Sequence, residues 1–370
     1  MTRAPTPNAP DTSHLKLLTK QDRLWAEDVL AETVIDPGRI SPDTLAALNM
    51  RDRERYRMRR TEYLRMMPLL ETEIVADVLG RLRLLGKASI RSDLHQQDIP
   101  ILNGEPGVGK TMIVKTHAAE EMRRLAFQRS IDVEDGRVEP LGTFRPVIYA
   151  HLKGPMTQHD VIRMLCDELS WPTDRNPQRA FERAISACSV QLVIIDEIQH
   201  INFEGKTGRN VHNIIRWMSN FGLRVVLSGT AIDWVLNGGG IPAVEVAARN
   251  SRGRWIHLEV PKLEIDHGRL DDWLDLVHAF EERLRLVNAP TSTGWLADSF
   301  GEYMWARTQG YFNSLVLLIN LAAAQAMESG QETIDRLTLD SVNLEYEVER
   351  QRPQRMAMFD AGTYPWSSEL

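Results

Sequence analysis

Residues 104–111 are the segment best suited to carry chemistry, and they read Gly-Glu-Pro-Gly-Val-Gly-Lys-Thr. They fill every fixed position of the pattern G-x-x-x-x-G-K-[ST], in which the backbone N–H groups of a glycine-rich loop face phosphates at a helix N-terminus. Lys110 would supply a positive charge to the β- and γ-phosphates, and Thr111 a hydroxyl to Mg²⁺. The alternative is a chance glycine-rich turn. The predicted nucleotide-binding residues are Gly104, Glu105, Pro106, Gly107, Val108, Gly109, Lys110, Thr111 and Met112.

An acidic pair, Asp196 and Glu197, follows the aliphatic run Leu192–Ile195. Such a run is typical of a strand buried on both faces of a parallel sheet, so the pair would emerge at the carboxyl edge, where ligands bind. Asp196 would hold Mg²⁺ through water, and Glu197 would polarise the attacking water. The alternative is two acids that open a helix and favour its dipole. With the glycine-rich loop, the pair predicts ATP hydrolysis with ATP and Mg²⁺ bound.

Polar residues also follow the next apolar run, Leu223–Leu227, in the segment that contains Ser228 and Thr230. A polar side chain there would lie between the two motifs and orient water near the γ-phosphate, which makes Ser228 a candidate catalytic residue. The alternative is an ordinary Ser/Gly turn.

Three arginines, Arg249, Arg252 and Arg254, stand just before the last predicted strand. In a ring or filament this edge would face a neighbour's nucleotide, where an arginine supplied in trans accelerates hydrolysis by roughly 10³–10⁵. We predict that Arg254, or next Arg252, has this role. The alternative is solvated charge on a surface loop.

Basic residues on two predicted loops are candidates for contact with DNA. Lys153 follows the second predicted strand, and Lys206 and Arg209 lie in a glycine-rich loop after the acidic pair. Both loops would point toward a central pore, and the alternative is ordinary exposed charge. The run Arg51–Arg60 is better explained as a solvated helix than as a DNA or partner site.

Apolar runs alternate with helical patterns over residues 96–262, which predicts an α/β fold with a five-stranded parallel sheet flanked by helices. After Pro261 only helical patterns remain, which predicts a C-terminal helical lid. The predicted strands are Ile99–Asn103, Pro146–Ala150, Leu192–Ile195, Leu223–Leu227 and Trp255–Val260. The predicted divisions are a helical extension over 1–95 with residues 1–13 disordered, the core over 96–262, the lid over 263–350 and a tail over 351–370.

The composition limits the class of protein. The chain has 370 residues, of which 43% are hydrophobic and 26% charged, and its net charge is −7. This excludes a polycation that coats nucleic acid, although a local basic groove needs only a few cations. Cys166 and Cys188 are too few for a disulfide framework, and we expect both to be buried. No segment has the length of a membrane span and the N-terminus lacks the apolar core of a signal peptide, so we expect a cytoplasmic protein.

The order of these features resembles the AAA+ superfamily, in which a Walker A loop, a Walker B Asp-Glu pair, a polar sensor, arginines and a helical lid follow one another. More narrowly, residues 60–345 resemble the TniB/TnsC group of transposition ATPases, relatives of IstB and the phage Mu B protein. The stretches that carry this resemblance are Asp-Glu-Ile-Gln-His-Ile at 196–201, Leu-Ser-Gly-Thr at 227–230, Arg-Trp-Ile-His-Leu-Glu-Val-Pro at 254–261 and Thr-Gln-Gly-Tyr-Phe-Asn-Ser-Leu at 308–315.

The resemblance implies a protein that forms a homo-oligomeric ring or helical filament with ATP on double-stranded DNA. It also implies a DDE-type transposase and a TniQ-like adaptor as partners. Asn313 stands near the position where many AAA+ proteins carry a lid arginine, which predicts slow, partner-dependent hydrolysis. Two alternatives share the same core: a signalling or defence ATPase of the STAND or AAA+ kind, and a helicase-loader or clamp-loader ATPase.

Overall fold

The computed structural model describes residues 35–65, 69–70, 72–89, 98–137, 144–154, 156–173, 175–200, 205–232, 255–263 and 270–364, with the side chains of residues 88–89, 205–212 and 270 left out. The chain divides into two compact units. Among the described residues, the sheet unit comprises residues within Leu79–Asn103 and Thr111–Glu259, and the helical unit comprises residues within Glu32–Val78, Gly104–Lys110 and Val260–Leu370.

The sheet unit is built on five strands in the order β2-β3-β4-β1-β5, and every neighbouring pair is parallel. Their bounds are Ile99–Asn103 for β1, Val147–His151 for β2, Leu192–Asp196 for β3, Arg224–Gly229 for β4 and Trp255–Glu259 for β5. Strands β3 and β4 are buried along their whole length, as their continuous apolar runs predict. The predicted five-stranded parallel sheet is confirmed.

Helices flank the sheet. They are α3 over Glu73–Ser89, α4 over Lys110–Glu134, α5 over Gln158–Glu168, α6 over Pro177–Cys188 and α7 over Gly205–Asn220. Helix α5 begins at a capping box, in which the Thr157 and Asp160 side chains each bond the other residue's backbone N–H. Its apolar face and that of α6 join the strand residues in one core, which includes both cysteines. The predicted burial of Cys166 and Cys188 is confirmed.

The start of α7 corrects one prediction. We expected Lys206 and Arg209 on a loop, because the sequence Gly-Lys-Thr-Gly-Arg has no apolar periodicity and two glycines. The helix instead begins at Gly205 and contains both residues. The second half of the helix packs on the core through three buried residues, Ile214, Ile215 and Met218. This packing stabilises the helix, which continues from there back to Gly205.

A network of ion pairs, partly exposed at Arg83 and Glu120, joins α3, α4 and β4. Arg83 and Glu120 form an ion pair of 2.6 Å, and Arg224 and Glu121 form a second one of 2.6 Å. His117 is 2% exposed beside this network. Burial lowers the pKa of His117 to about 4. Glu121 raises this pKa and Arg224 lowers it, both by less than burial does. This histidine is therefore neutral near pH 7.

Acidification should destabilise the sheet unit through His117. Its pKa in the folded chain lies below the ordinary value of 6.5, so its contribution to stability is present above pH 6.5 and is lost as the pH falls toward 4. Between pH 7 and pH 5 we expect a loss of up to about 2 kcal/mol in the free energy of unfolding. A His117→Gln chain should lose less, whereas a variant of the exposed His159, His159→Gln, should follow the wild type. Urea unfolding at both pH values measures this, and equal losses in all three chains would contradict it.

The helical unit has its own core. Its helices are α1 over Pro42–Ala47, α2 over Met50–Arg65, α8 over Leu270–Glu281, α9 over Trp295–Thr308, α10 over Phe312–Ser329, α11 over Arg336–Ser341 and α12 over Tyr346–Asp360. Leu64 of α2 is buried among apolar residues of α8 to α12. The predicted helical C-terminal region is confirmed. None of the described helices is both long and apolar enough to cross a membrane.

Two details of this unit differ from the prediction. The region predicted as a lid over 263–350 ends in two helices separated by residues 342–345. The second of them, α12, continues through Pro353 to Asp360, beyond the predicted boundary at residue 350. The proline removes one backbone donor, while the burial of Arg355 and Met356 keeps the following turns packed.

Arg60 is the second difference, because it is buried although its run was expected to be solvated. Its guanidinium donates to both carboxylate oxygens of Glu332, at 2.6 and 3.0 Å, and to the carbonyl oxygen of Arg285 at 3.1 Å. Glu332 also accepts the backbone N–H of Val287 at 3.1 Å. Both side chains of the pair are 3% exposed. This pair anchors α2 within the helical unit.

Candidate functional site

The phosphate-loop segment 104–110 has the backbone that its glycines permit. Gly107 and Gly109 have φ angles of +83° and +98°, in the left-handed region that other residues rarely adopt. A Cβ atom at Gly104 would overlap the backbone carbonyl oxygen of Val260. Glycine is therefore required at all three positions of the motif, and Lys110 starts α4 immediately after the loop.

Lys110 is held inside the loop. Its side chain is nearly buried, and Nζ donates to the carbonyl oxygens of Gly104 at 2.9 Å and Glu105 at 2.7 Å. These carbonyls fix the ammonium group at the start of α4. The fixed ammonium group and the N-terminus of α4 are therefore at the same place, and both favour the binding of an anion there.

The first turn of α10 contacts this loop within the helical unit. The Tyr311 hydroxyl donates to the Glu105 carboxylate, and the Asn313 backbone N–H donates to the carbonyl oxygen of Gly107 at 2.9 Å. Burial, followed by the bond to Glu105, raises the pKa of Tyr311 to about 12, so the phenol keeps its proton. These contacts were not predicted, because they join residues some 200 positions apart in the chain. They show how the lid helix supports the phosphate loop.

In the sheet unit, Asp196 lies at the end of β3 and is fully buried. Its Oδ2 accepts hydrogen bonds from Thr111 Oγ1 at 2.8 Å and from the Tyr149 hydroxyl at 2.9 Å, and it lies 3.2 Å from His151 Nδ1. Burial raises the pKa of this carboxyl, but the hydrogen bonds outweigh burial and hold the pKa below its ordinary value. The Ser228 hydroxyl lowers it as well, although its geometry falls short of a regular hydrogen bond. Asp196 is therefore ionised.

The Asp196 cluster brings two predicted residues together and adds two residues that we had missed. Thr111 and Asp196, which we predicted as magnesium ligands, are hydrogen-bonded to each other. Tyr149 and His151 were not expected, although β2 and β3 are adjacent and His151 pairs directly with Asp196 in their register. A hydroxyl and a carboxylate oxygen are the kind of protein ligands that Mg²⁺ accepts when water and phosphate supply the rest. The residues present therefore fit the ion.

Glu197 follows with a φ angle of +59°, which turns the chain sharply after β3. Its backbone N–H donates to Asp196 Oδ1 at 3.1 Å, and its carboxylate accepts a hydrogen bond from the side-chain amide of Gln199. The amide oxygen of Gln199 in turn accepts the backbone N–H of Thr230 at 3.1 Å. The predicted water-activating carboxylate is therefore tied to the segment after β4. Sequence analysis had singled out Glu197 but not Gln199.

Ser228 is fully buried and lies within β4, since the strand extends to Gly229 and not only to Leu227 as predicted. Thr230 is the first residue after the strand. A polar residue thus stands at the carboxyl end of the strand between β3 and β1, as we expected for a residue near the two motifs.

Comparison with known proteins agrees with this arrangement. Residues 92–233 match the family model of an AAA domain. Among solved structures, the ORC1 protein of Aeropyrum pernix in complex with DNA matches with a TM-score of 0.50 and 15% identity, covering 81% of this chain and 70% of that one. This is an AAA+ fold. A search of the curated proteins finds no match.

Two further AAA+ structures are similar at a lower level. The ORC2 protein of Aeropyrum pernix, solved as ADPNP–ADP complexes, has a TM-score of 0.47 and 14% identity over 72% of this chain and 69% of that one. CDC6P of Pyrobaculum aerophilum has a TM-score of 0.49 and 14% identity over 72% and 66%. At these identities the likeness concerns the fold alone, and the narrower TniB/TnsC resemblance stays a prediction.

The structure describes only some of the remaining candidate residues. Lys153 is exposed on the segment after β2, as predicted. Lys206 and Arg209 lie on α7, whose side chains there are not described. Arg252 and Arg254, together with Arg249, lie outside the described residues. The roles predicted among these residues stay predictions.

Proposed function

We propose that this chain binds and hydrolyses ATP and uses its nucleotide state to assemble on double-stranded DNA as a regulator of transposition. The observation that supports it most is the hydrogen bond between Thr111 and the ionised, buried Asp196, directly after a glycine loop with left-handed backbone. This combination is what an ATP–magnesium site requires. A pair of apolar residues would serve packing better than this hydroxyl and carboxylate, so packing does not explain the pair.

In the proposed site, the backbone N–H groups of the 104–110 loop and the Lys110 ammonium hold the triphosphate. Thr111 and Asp196 would hold Mg²⁺, and the bound ion would offset negative charge on the triphosphate. Glu197 accepts a hydrogen bond from the attacking water and orients it. Arg254 or Arg252 of a neighbouring copy completes the site in trans, which makes hydrolysis depend on assembly.

For DNA, we propose contact with the phosphate backbone through loop cations, Lys153 among them. Phosphate contacts supply affinity without reading bases, so target choice would be left to the partners, a DDE-type transposase and a TniQ-like adaptor. The ORC1 protein that shares this fold was solved in complex with DNA, which supports an association with DNA for this chain. Each subunit would meet few phosphates, so assembly would supply the affinity.

This proposal predicts binding to duplex DNA that requires ATP, is steep in protein concentration and weakens as salt rises. Lys153→Ala should lower affinity about equally on unrelated sequences and leave ATP binding unchanged. Lys87→Ala, which removes an exposed lysine of α3, is the matched control and should bind DNA like the wild type. Fluorescence anisotropy on two unrelated duplexes, with ATP, ADP or no nucleotide, measures this. Equal binding in all three states, or none, would remove the transposition proposal.

A helicase-loader or clamp-loader ATPase is the second candidate. The observation that favours it is that the AAA+ fold is shared with an ORC1 protein in complex with DNA. Stimulation of the chain's ATPase by a purified DDE-type transposase would favour the first proposal. ATP-dependent DNA binding without any response to the transposase would favour the second.

A further inference from the structure

We propose that Gln199 is a positioning residue for hydrolysis, holding the Glu197 carboxylate and joining it to the segment after β4. The inference rests on the proposed ATPase function and adds to it a residue that neither motif contains. Gln199 lies in the short 3₁₀ helix Ile198–His200, directly behind the acidic pair. Its side-chain hydrogen bonds go to Glu197 and to the backbone of Thr230, so its role would be exerted through Glu197.

The first observation is that both ends of the Gln199 amide are engaged. The NH₂ group donates to the Glu197 carboxylate, and the oxygen accepts the Thr230 backbone N–H at 3.1 Å. A side-chain amide carries both a donor and an acceptor at its end, so it can donate on one side and accept on the other. A carboxylate, or an apolar side chain of equal length, would satisfy at most one of the two contacts.

The second observation is that the backbone around the amide leaves it room. A Cβ atom at Gly229 would overlap the Gln199 amide oxygen and would lie 3.2 Å from the backbone nitrogen of Ile198. Glu197 adopts a φ angle of +59°, which is uncommon for a residue with a side chain. Both features bring the ends of β3 and β4 close enough for one glutamine to span them.

The physical consequence is a carboxylate with few accessible orientations. Glutamate has three rotatable side-chain bonds, and a free carboxylate would spread over several rotamers. The Gln199 amide selects one of them, and the Thr230 amide holds Gln199 in turn. Since misplacing a reacting group by about 1 Å costs on the order of 100-fold in rate, the bridge would affect turnover and leave ATP binding unchanged.

Two substitutions separate the two halves of the bridge. Gln199→Ala removes both hydrogen bonds and should lower kcat by roughly 10- to 100-fold with the KM for ATP unchanged. Gln199→Glu keeps an acceptor for Thr230 but replaces the donor to Glu197 with a like charge, so its kcat should fall at least as far. Gln191→Ala, at an exposed glutamine just before β3, is the control and should keep the wild-type kcat.

Hydrogen–deuterium exchange supplies a readout that needs no turnover. The Thr230 amide should exchange faster in the Gln199→Ala chain and remain protected in the Gln199→Glu chain, because only the first loses its acceptor. Unchanged exchange in Gln199→Ala, or a kcat that is unchanged or raised in both variants, would overturn the positioning role. A wild-type chain that neither binds nor hydrolyses ATP would instead refute the proposed function, and the exchange data would then report on the bridge alone.

Discussion

A Glu197→Gln chain should bind ATP as tightly as the wild type and hydrolyse it more slowly by on the order of 100-fold or more. The amide keeps the size of the side chain but cannot accept a proton or orient water as a carboxylate does. The charge of Glu197 is expected to act on the attacking water and not on the bound phosphates, so nucleotide affinity should not depend on it.

Lys110→Ala should have the opposite effect, with ATP binding itself lost. The Lys110 ammonium is nearly buried and hydrogen-bonded to two loop carbonyls, so its removal takes away a fixed charge and the contacts that shape the loop. Truncating such a group costs about 2–5 kcal/mol, which is a loss of roughly 30- to 5,000-fold in affinity.

Retention of radiolabelled ATP, followed by its conversion to ADP, distinguishes the two variants, and each serves as the control for the other. Hydrolysis at the wild-type rate by Glu197→Gln would show that another residue activates the water. Normal retention by Lys110→Ala would contradict the assignment of the phosphate loop.

The largest expected effect on stability is at Arg60. Arg60→Met leaves the Glu332 carboxylate buried with only the backbone N–H of Val287 as a described hydrogen-bond donor, and removing one partner of a buried ion pair costs about 3–5 kcal/mol. We therefore expect the helical unit to unfold at much lower urea concentration. An Arg60→Met, Glu332→Leu double variant should recover part of the loss, because no charge is then left unpaired.

Arg57→Met, on the same helix, is the matched control. Arg57 pairs with Glu54 and Glu328 in exposed positions, and such surface pairs contribute roughly 0–1 kcal/mol. Urea unfolding followed by circular dichroism compares the three chains. A loss in Arg60→Met no larger than that in Arg57→Met would show that the buried pair is not what anchors α2.

The parts of this molecule that sequence analysis predicted well are those in which chemistry and local backbone depend on the same few residues. The 104–111 loop requires its glycines for a left-handed backbone, and the strand before Asp196 is apolar because both of its faces are buried. Such requirements can be predicted from residues that are adjacent in the sequence. The parallel arrangement of the five strands was predicted from alternation alone, since parallel strands need crossover connections that are usually helices.

The contacts that could not be predicted are those between side chains that lie far apart in the sequence and meet only in the fold. Tyr149 and His151 reach Asp196 only because β2 and β3 are neighbours, and the Arg60 side chain meets Glu332 across 272 positions. Local composition also misled at α7, where two glycines suggested a loop although packing of the following turns extends the helix. Pro353 suggested a tail for a similar reason, and the buried residues after it kept the helix intact.

The burial of both cysteines has a practical consequence for labelling experiments. Cys166 and Cys188 are the two thiols of the chain, each is fully buried, and burial raises the pKa of Cys188, which leaves less of the reactive thiolate. A maleimide probe should therefore leave the folded wild-type chain largely unmodified without any prior removal of its cysteines. A single cysteine placed at the exposed position of Lys153 would then carry the label alone. A fluorophore or photocrosslinker at that position would report directly whether the segment after β2 approaches DNA.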